Sequence, residues 1–579
     1  MTDADPRLTV PRADAGFPPP TRPFQRFFRL LSKDKKDIGL IYMYAVVNGI
    51  VALSLPLGIQ AIVGLILAGR VSTSWIILTV IVTLGVAFSG LLQIVQLSIT
   101  EVLQQRIFTR ASFEFAYRIP RFKTEAIRGL YLPELVNRFF DTLNVQKGLS
   151  KILLDLSTSA LQIVLGLALL ALYHPFFIFF GIALMLTLAV LIRWSLHPGL
   201  KSSLKESTYK YRVAHWLKEL ARGFSTFKLA GVTSLPLAKT DFLVSSYLTH
   251  RKQHFRILVF QYAGVVLFKT LITLGLLALG GVLVMQNEIT IGQFVASEII
   301  IILVMTSAEK LILTMEPLYD VLTAVEKMGQ VTDLPLDPKR NGPTQDALVG
   351  HNRGLDIDLR DVSLPEGTFV KRPILSNLNL RIPAGSRVAL VGPEGSGKTS
   401  LLELLGGFVE PEHGTRLIHG VPVKNIDPHQ LRRHIGDALN REILFEGSLR
   451  DNLTVGRDDI GQAQLQQALE AVGLGGFVQS APLGLETPVN SDGEGLSHTV
   501  LRRLYLARAL AGSPRMVLLD NFLEAFDSNS RGALIGAFTR KDAPWTLVAA
   551  CSDPAFLAQC THVVHLEQGQ IVHVETSQS

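Results

Sequence analysis

Six apolar runs constrain the fold more than any other feature of the chain. They lie near residues 38–59, 75–97, 152–173, 175–194, 258–285 and 289–315. Each supplies the about 20 residues that a helix needs to cross a bilayer. Of the 579 residues, 48% are hydrophobic and only 18% are charged. The apolar residues gather in this first part, and the remainder reads as a soluble α/β domain.

Spans one and two, three and four, and five and six are joined by short segments. The other two joins are long, roughly fifty to sixty residues each. One carries Arg106, Arg110, Arg118, Arg121, Lys123 and Arg138; the other carries Lys201, Lys205, Lys210, Arg212, Lys218 and Arg222. The short joins have almost no positive charge beyond Arg70. The positive-inside rule therefore predicts a multi-pass protein of the cytoplasmic membrane, with the N-terminus, both long joins and the C-terminal domain in the cytoplasm. The net charge of +7 sits beside these membrane segments. No basic stretch carries interleaved aromatics, so no nucleic-acid partner is expected.

Helical periodicity continues through the long joins, which predicts helices that extend well into the cytoplasm. The segments near 131–141 and 215–228 fall close to the hairpin midpoints, where contact with the C-terminal domain is expected. Lys269 and Glu298 are ionisable residues inside spans five and six. Their depths differ by roughly 10 Å at helical rise, so a simple pair between them is not expected. An interhelical contact and a polar translocation path both fit such residues. Residues 1–25, polar and proline-rich, read as a disordered tail without a cleavable signal. The transmembrane domain is placed at 26–330, a linker at 331–353 and the soluble domain at 354–579. Cys551 and Cys560 lack metal-site spacing and read as reduced structural thiols.

Within the soluble domain, Gly392-Pro393-Glu394-Gly395-Ser396-Gly397-Lys398-Thr399 follows the apolar strand Arg387–Val391 and precedes a helix beginning near Ser400. Glycines let successive backbone N–H groups curl around phosphate oxygens. Lys398 adds charge for the terminal phosphates, and Thr399 offers a hydroxyl to Mg²⁺.

Six spans, two long cytoplasmic joins and this loop resemble an ABC exporter half-transporter. The stretch 514–520, ending in Leu518-Leu519-Asp520, resembles that family's Walker B strand. Pro133-Glu134-Leu135-Val136-Asn137-Arg138 resembles its first coupling-helix motif, with Pro133 where glycine is frequent. The resemblance implies a six-helix transmembrane domain followed by an α/β nucleotide-binding domain. It also implies ATP and Mg²⁺ as cofactors, with Thr399, Asp520 and Asn440 around the metal.

Five positions depart from the family pattern. Asn521 stands where a glutamate polarises the attacking water, and an amide cannot accept a proton as a carboxylate does. Ser552 replaces the switch histidine. Ser497 is retained in the signature stretch, but His498, Thr499 and Val500 put Cβ atoms and an apolar side chain where glycines and an amide are usual. Asn440 replaces the metal-linking glutamine with a chain one carbon shorter. No adenine-stacking aromatic lies near Leu364, with Phe369 the nearest candidate in poor register.

Loss of one general base removes about 10²–10⁴ in rate, so the sequence predicts nucleotide binding with slow or absent hydrolysis. In the family each site joins one subunit's Walker loops to its partner's signature. Either a homodimer or a heterodimer with a second half-transporter would thus carry damage in both sites. The leading expectation is an exporter subunit moving a peptide, protein, lipid or drug. The alternative is an ATP-sensing scaffold or regulatory pseudo-transporter in an envelope complex. Pro56-Leu57-Gly58-Ile59-Gln60 resembles exporters of peptide- and protein-secretion systems, which suggests a periplasmic adaptor partner beside membrane lipid. No peptidase-like domain fits before Ile38.

Overall fold

A computed structural model describes residues 23–67, 73–127, 129–338, 354–366, 373–439 and 443–577. The chain divides into two compact units, residues 1–336 and 337–579.

The first unit is all helical. An amphipathic helix, α1 (Pro23–Ser32), precedes α2 (Lys35–Ala52), α3 (Ser54–Leu67) and the 46-residue α4 (Thr73–Arg118). The short helices α5 (Thr124–Ile127) and α6 (Leu132–Val136) lead into α7 (Asp141–Lys151) and α8 (Ser157–Tyr173). The 47-residue α9 (Phe176–Arg222), short α10 (Phe224–Leu229) and 41-residue α11 (Leu235–Gly275) follow. Helices α12 (Gly281–Met285), α13 (Ile291–Leu313) and α14 (Met315–Thr332) complete the unit. Six stretches are long and apolar enough to span a membrane. Helices suit this environment because every backbone polar group is satisfied within the segment.

Local chemistry explains the interruptions. Span one breaks at Leu53, between α2 and α3. Pro56, three residues on, has no N–H for the Ala52 carbonyl, so the helical ladder loses a bond at this break. Polar bonds tie the broken span to α4: Ser89 Oγ donates to Asn48 Oδ1 at 2.5 Å, and Gln96 Nε2 to the Ile41 carbonyl at 3.1 Å. The second long hairpin turns at Gly223, so residues 215–222 of the expected midpoint segment still belong to α9, and the separate helix is α10. At the first hairpin, α6 and a 3-10 turn (Asn137–Phe140) occupy the expected stretch.

A buried polar network joins three long helices. Pro198 lies inside α9, and the Tyr319 ring of α14 packs on neighbouring Gly199. Tyr319 Oη donates to the Ser195 carbonyl at 3.1 Å and accepts from Gln261 Nε2 of α11 at 3.0 Å. Gln261 also donates to Ser195 Oγ at 2.6 Å. Lys269 pairs across spans five and six with Glu309 at 3.5 Å, and Tyr262 Oη donates to the same carboxylate at 3.1 Å.

The second unit is α/β. An antiparallel sheet has the order β2-β1-β4-β5, formed by β1 (Ile357–Glu366), β2 (Pro373–Ile382), β4 (His413–Ile418) and β5 (Val421–Pro422). A six-stranded sheet has the order β12-β11-β3-β10-β9-β6. Its strands are β3 (Arg387–Val391), β6 (Ile435–Ala438), β9 (Met516–Asp520), β10 (Thr546–Ala550), β11 (His562–Glu567) and β12 (Gln570–Thr576). The five strands from β11 to β6 are parallel, and β12 closes the edge antiparallel. A two-stranded ribbon pairs β7 (Gly447–Ser448) with β8 (Pro488–Val489). Parallel strands are covered on both faces, hence their continuous apolar runs. Val388, Leu390, Met516 and Leu518 pack into one core layer; Ala389, Val517 and Leu519 pack into the other.

Tyr319→Phe leaves a buried amide donor and a carbonyl short of a partner. It should lower stability by about 1 kcal/mol, read as a lower thermal midpoint in nanodiscs. An unchanged midpoint would show that the network does not bind the helices together.

Candidate functional site

Parallel pairing puts the ends of β3, β10 and β9 side by side. Ala550 is level with Leu390 on one flank and with Asp520 on the other. The segments leaving these strands therefore share one edge of the sheet, where ligands of open α/β sheets bind.

The segment after β3 is the phosphate loop. Gly392 has φ 154° and Gly397 φ 101°. A Cβ at Gly392 would strike the Leu566 carbonyl, and one at Gly397 would lie 2.7 Å from Leu375 Cδ2. Glycine is required at both positions for conformation and for space. Gly397 caps the helix Lys398–Leu405, whose first turn includes Ser400. Pro393, Glu394 and Gly395 form the outer part of the loop, while Ser396 is buried.

Lys398 folds its ammonium back over this loop, donating to the carbonyls of Gly392 at 2.7 Å and Pro393 at 2.9 Å. Thr399 Oγ1 donates to Asp520 Oδ2 at 2.8 Å. The residues fit a magnesium nucleotide. The glycines keep open a cradle that side chains would fill, and Thr399 and Asp520 converge two hard oxygen donors of the kind Mg²⁺ takes alongside phosphates. Asn440 and Phe369 lie outside the described residues.

Asn521 and Ser552 leave the two neighbouring strands. Asn521 adopts φ 47°, which asparagine tolerates better than most residues, and its N–H donates to the Ala550 carbonyl at 3.0 Å. Ser552 is exposed and follows buried Cys551. The signature stretch belongs to a different segment. Ser497 caps the helix His498–Ala511, accepting from Val500 N–H at 3.3 Å, and Ser497, His498 and Thr499 are all exposed.

Two supports were not anticipated from the sequence. Gly569, in the β11–β12 turn, donates its N–H to the Ser396 carbonyl at 3.0 Å, and its carbonyl accepts from Ser376 N–H at 2.9 Å. It thus fixes the loop from behind; the Gln568-Gly569 pair was its only sequence signal. Arg508 donates to the carbonyls of Asn452 at 2.7 Å and Ile443 at 3.3 Å, holding the segment that follows Asn440. Burial raises the nearby Asp437 carboxyl, with Arg508 opposing the shift.

Fold and site together define a membrane domain fused to a P-loop nucleotide-binding domain. Residues 38–308 match the family model "ABC transporter transmembrane region", and residues 375–524 match the model "ABC transporter". The chain belongs to the ABC transporters, as a fused half-transporter of the exporter type. It is 32% identical over 287 residues to an ATP-dependent lipid A-core flippase of Burkholderia orbicola (strain AU 1054), covering 50% of this chain and 47% of the relative. It is 26% identical over 393 residues to the alpha-hemolysin translocation ATP-binding protein HlyB of Escherichia coli O157:H7, covering 67% and 55%. The chain thus spans about half the length of these curated relatives. A bacterial Atm1-family ABC exporter with ATP bound shares the fold. Its TM-score is 0.81 at 20% identity, over 94% of this chain and 95% of that one.

Burial pushes the Cys560 thiol up from 9.0 to about 12 and raises Cys551 as well. The unfolded thiol ionises first, so the Cys560 contribution to stability is complete below about pH 9 and fades as pH rises toward 12. Maleimide at pH 8 should leave both cysteines unmodified in the folded protein and label both after denaturation. Labelling of the folded protein would show that the strand end beside Ser552 opens.

Proposed function

We propose that the chain is an ATP-binding subunit of an ABC exporter in which nucleotide binding, with slow hydrolysis at most, drives switching between inward- and outward-facing states. The observation that carries this reading is the contrast at one sheet edge. Lys398, Thr399 and Asp520 retain binding chemistry, while Asn521 and Ser552 lack a general base and a switch imidazole. Lys398 releases its two loop carbonyls to meet phosphate oxygens, and the loop amides complete the cradle. When bound, Mg²⁺ would neutralise phosphate charge. Asn521 can orient a water but takes no proton from it.

The working unit is a dimer with a second half-transporter, lying in the cytoplasmic membrane with its nucleotide-binding domains in the cytoplasm. Lys269 is 50% exposed in the single chain although its helix spans the membrane. A charge at that depth favours a water-filled cavity or a partner over lipid. One relative is named for lipid A-core and another for translocation of alpha-hemolysin, two different cargo classes. The secretion-type resemblance of Pro56-Leu57-Gly58-Ile59-Gln60 supports a periplasmic adaptor as a further partner.

The test is nucleotide affinity and turnover in lipid. Wild type should bind Mg-ATP, and Lys398→Ala should abolish binding. Turnover should lie about 10²-fold or more below a variant carrying both Asn521→Glu and Ser552→His. Ordinary transporter turnover by wild type, lost in Lys398→Ala, would overturn slow hydrolysis. Binding without any conformational switching would favour the sensing scaffold.

A further inference from the structure

A crevice of about 140 Å³ opens in the second unit beside β6, the edge strand of the six-stranded sheet. Arg433, Arg457 and Arg508 line it, together with Asp437, Val455 and Gly512. It is small beside the about 300–1,000 Å³ of sites for drug-sized ligands, so its size points to a ligand of a few heavy atoms. Each arginine comes from a different segment. Arg433 ends the helix Pro428–Arg433 just before β6, Arg457 follows the helix Leu449–Thr454, and Arg508 lies on the helix His498–Ala511.

The three positive charges are unevenly satisfied. Arg508 is held by the carbonyls of Asn452 and Ile443. Arg433 pairs with Asp459 at 3.4 Å, and both side chains are exposed. Arg457 is half-buried and packs its guanidinium against Gly512, where a Cβ would strike it. It has no hydrogen-bond or ion-pair partner among the described residues. The acid that offsets its charge is Asp459, already paired with Arg433. Burial pushes the Arg457 guanidinium down; Asp459 opposes the shift and Arg433 adds to it. His434, next to Arg433, is also pushed down, by burial and then by Arg515 and Arg433. Asp437 does not restore the balance. Burial raises its carboxyl against the pull of Arg508, and a carboxyl that keeps its proton offers a donor and no charge.

A half-buried cation short of counter-charge, on the wall of a small cavity, gains by taking up an anion. We propose that the crevice binds a small oxyanion of the phosphate type. Arg457 is its main ligand, Arg433 adds a second guanidinium from the exposed side, and Arg508 contributes charge while keeping its two carbonyls. The bound anion ties the segment after the helix Leu449–Thr454 to β6 and to the Gly512–Pro514 stretch that leads into β9. The site is separate from the glycine loop, since none of its lining residues belongs to 392–399.

The test uses the full chain in nanodiscs, carrying Lys398→Ala so that the glycine loop lacks its cation. Radiolabelled inorganic phosphate is followed by equilibrium dialysis in chloride buffer. One phosphate should bind per chain, and Arg457→Gln should weaken it at least about tenfold. Arg433→Gln, at an exposed position, should weaken it about threefold, so the result does not rest on one variant folding. Arg450→Gln removes the same charge from a residue outside the crevice and should change nothing. Excess ATP should not displace the label. None of these readouts depends on whether the chain hydrolyses ATP. Absence of bound phosphate, unchanged binding in Arg457→Gln and Arg433→Gln, equal weakening by Arg450→Gln, or displacement by ATP as strong as by phosphate would each overturn the proposal.

Discussion

Register in one parallel sheet decides which residues of the second unit meet at its ligand-binding edge. Because β10 pairs with both β3 and β9, Leu390, Ala550 and Asp520 lie level across three strands. The glycine loop 392–399, Ser552 and Asn521, which leave those strands, are then neighbours by construction. The Thr399–Asp520 hydrogen bond ties the outer pair of segments across that edge. The residues filling the edge come from the ends of different strands. Under the proposed reading, binding chemistry persists after β3 while base chemistry is lost after β9.

The membrane unit obeys a different constraint. Its backbone is satisfied within helices, so specificity comes from the few polar side chains it buries. Ser195, Gln261 and Tyr319 link α9, α11 and α14 at the place where Pro198 and Gly199 thin the α9 surface. Asn48 and Ser89 do the same for spans one and two. Such bonds are modest individually, about 1 kcal/mol, but each fixes one helix register against another. The helices run far beyond the bilayer, and the ion pairs of Arg26, Arg106 and Arg110 take over that role on the water side.

The sequence shows most of this architecture because bilayer thickness and strand–loop–helix chemistry are strong local signals. Span lengths, the Arg387–Val391 strand and the glycines of the phosphate loop needed no tertiary information. The break at Leu53 did, since a proline such as Pro56 is often tolerated inside a spanning helix. The partner of Lys269 was also hidden. Helical rise makes Glu298 an unsuitable mate, and Glu309 sits near the inner end of its span, where a carboxylate gives no local sign of an intramembrane pair. The second hairpin turn falls within its expected segment, because α-helical periodicity persists to Arg222 and the first breaker is Gly223. Gly569 and Arg508 act through contacts distant in sequence, and no local pattern marks such contacts.

The proposed separation of binding from hydrolysis has a physical basis in how the contacts are distributed. Affinity draws on many partners: loop amides at a helix N-terminus, the Lys398 ammonium and the Thr399 and Asp520 oxygens. Losing a peripheral contact such as a stacking aromatic weakens such a set without abolishing it. Hydrolysis depends on a single water placed and deprotonated in one geometry, where an amide at Asn521 offers orientation but no basicity. Under this reading His498 and Thr499 act in the same direction. They add bulk at a helix N-terminus that otherwise approaches a phosphate through bare backbone. Pairing with an intact subunit would not gather the losses into one site. The Walker-side and signature-side losses of a single chain fall in opposite composite sites. A partner can therefore supply one intact half to each site but two intact halves to neither.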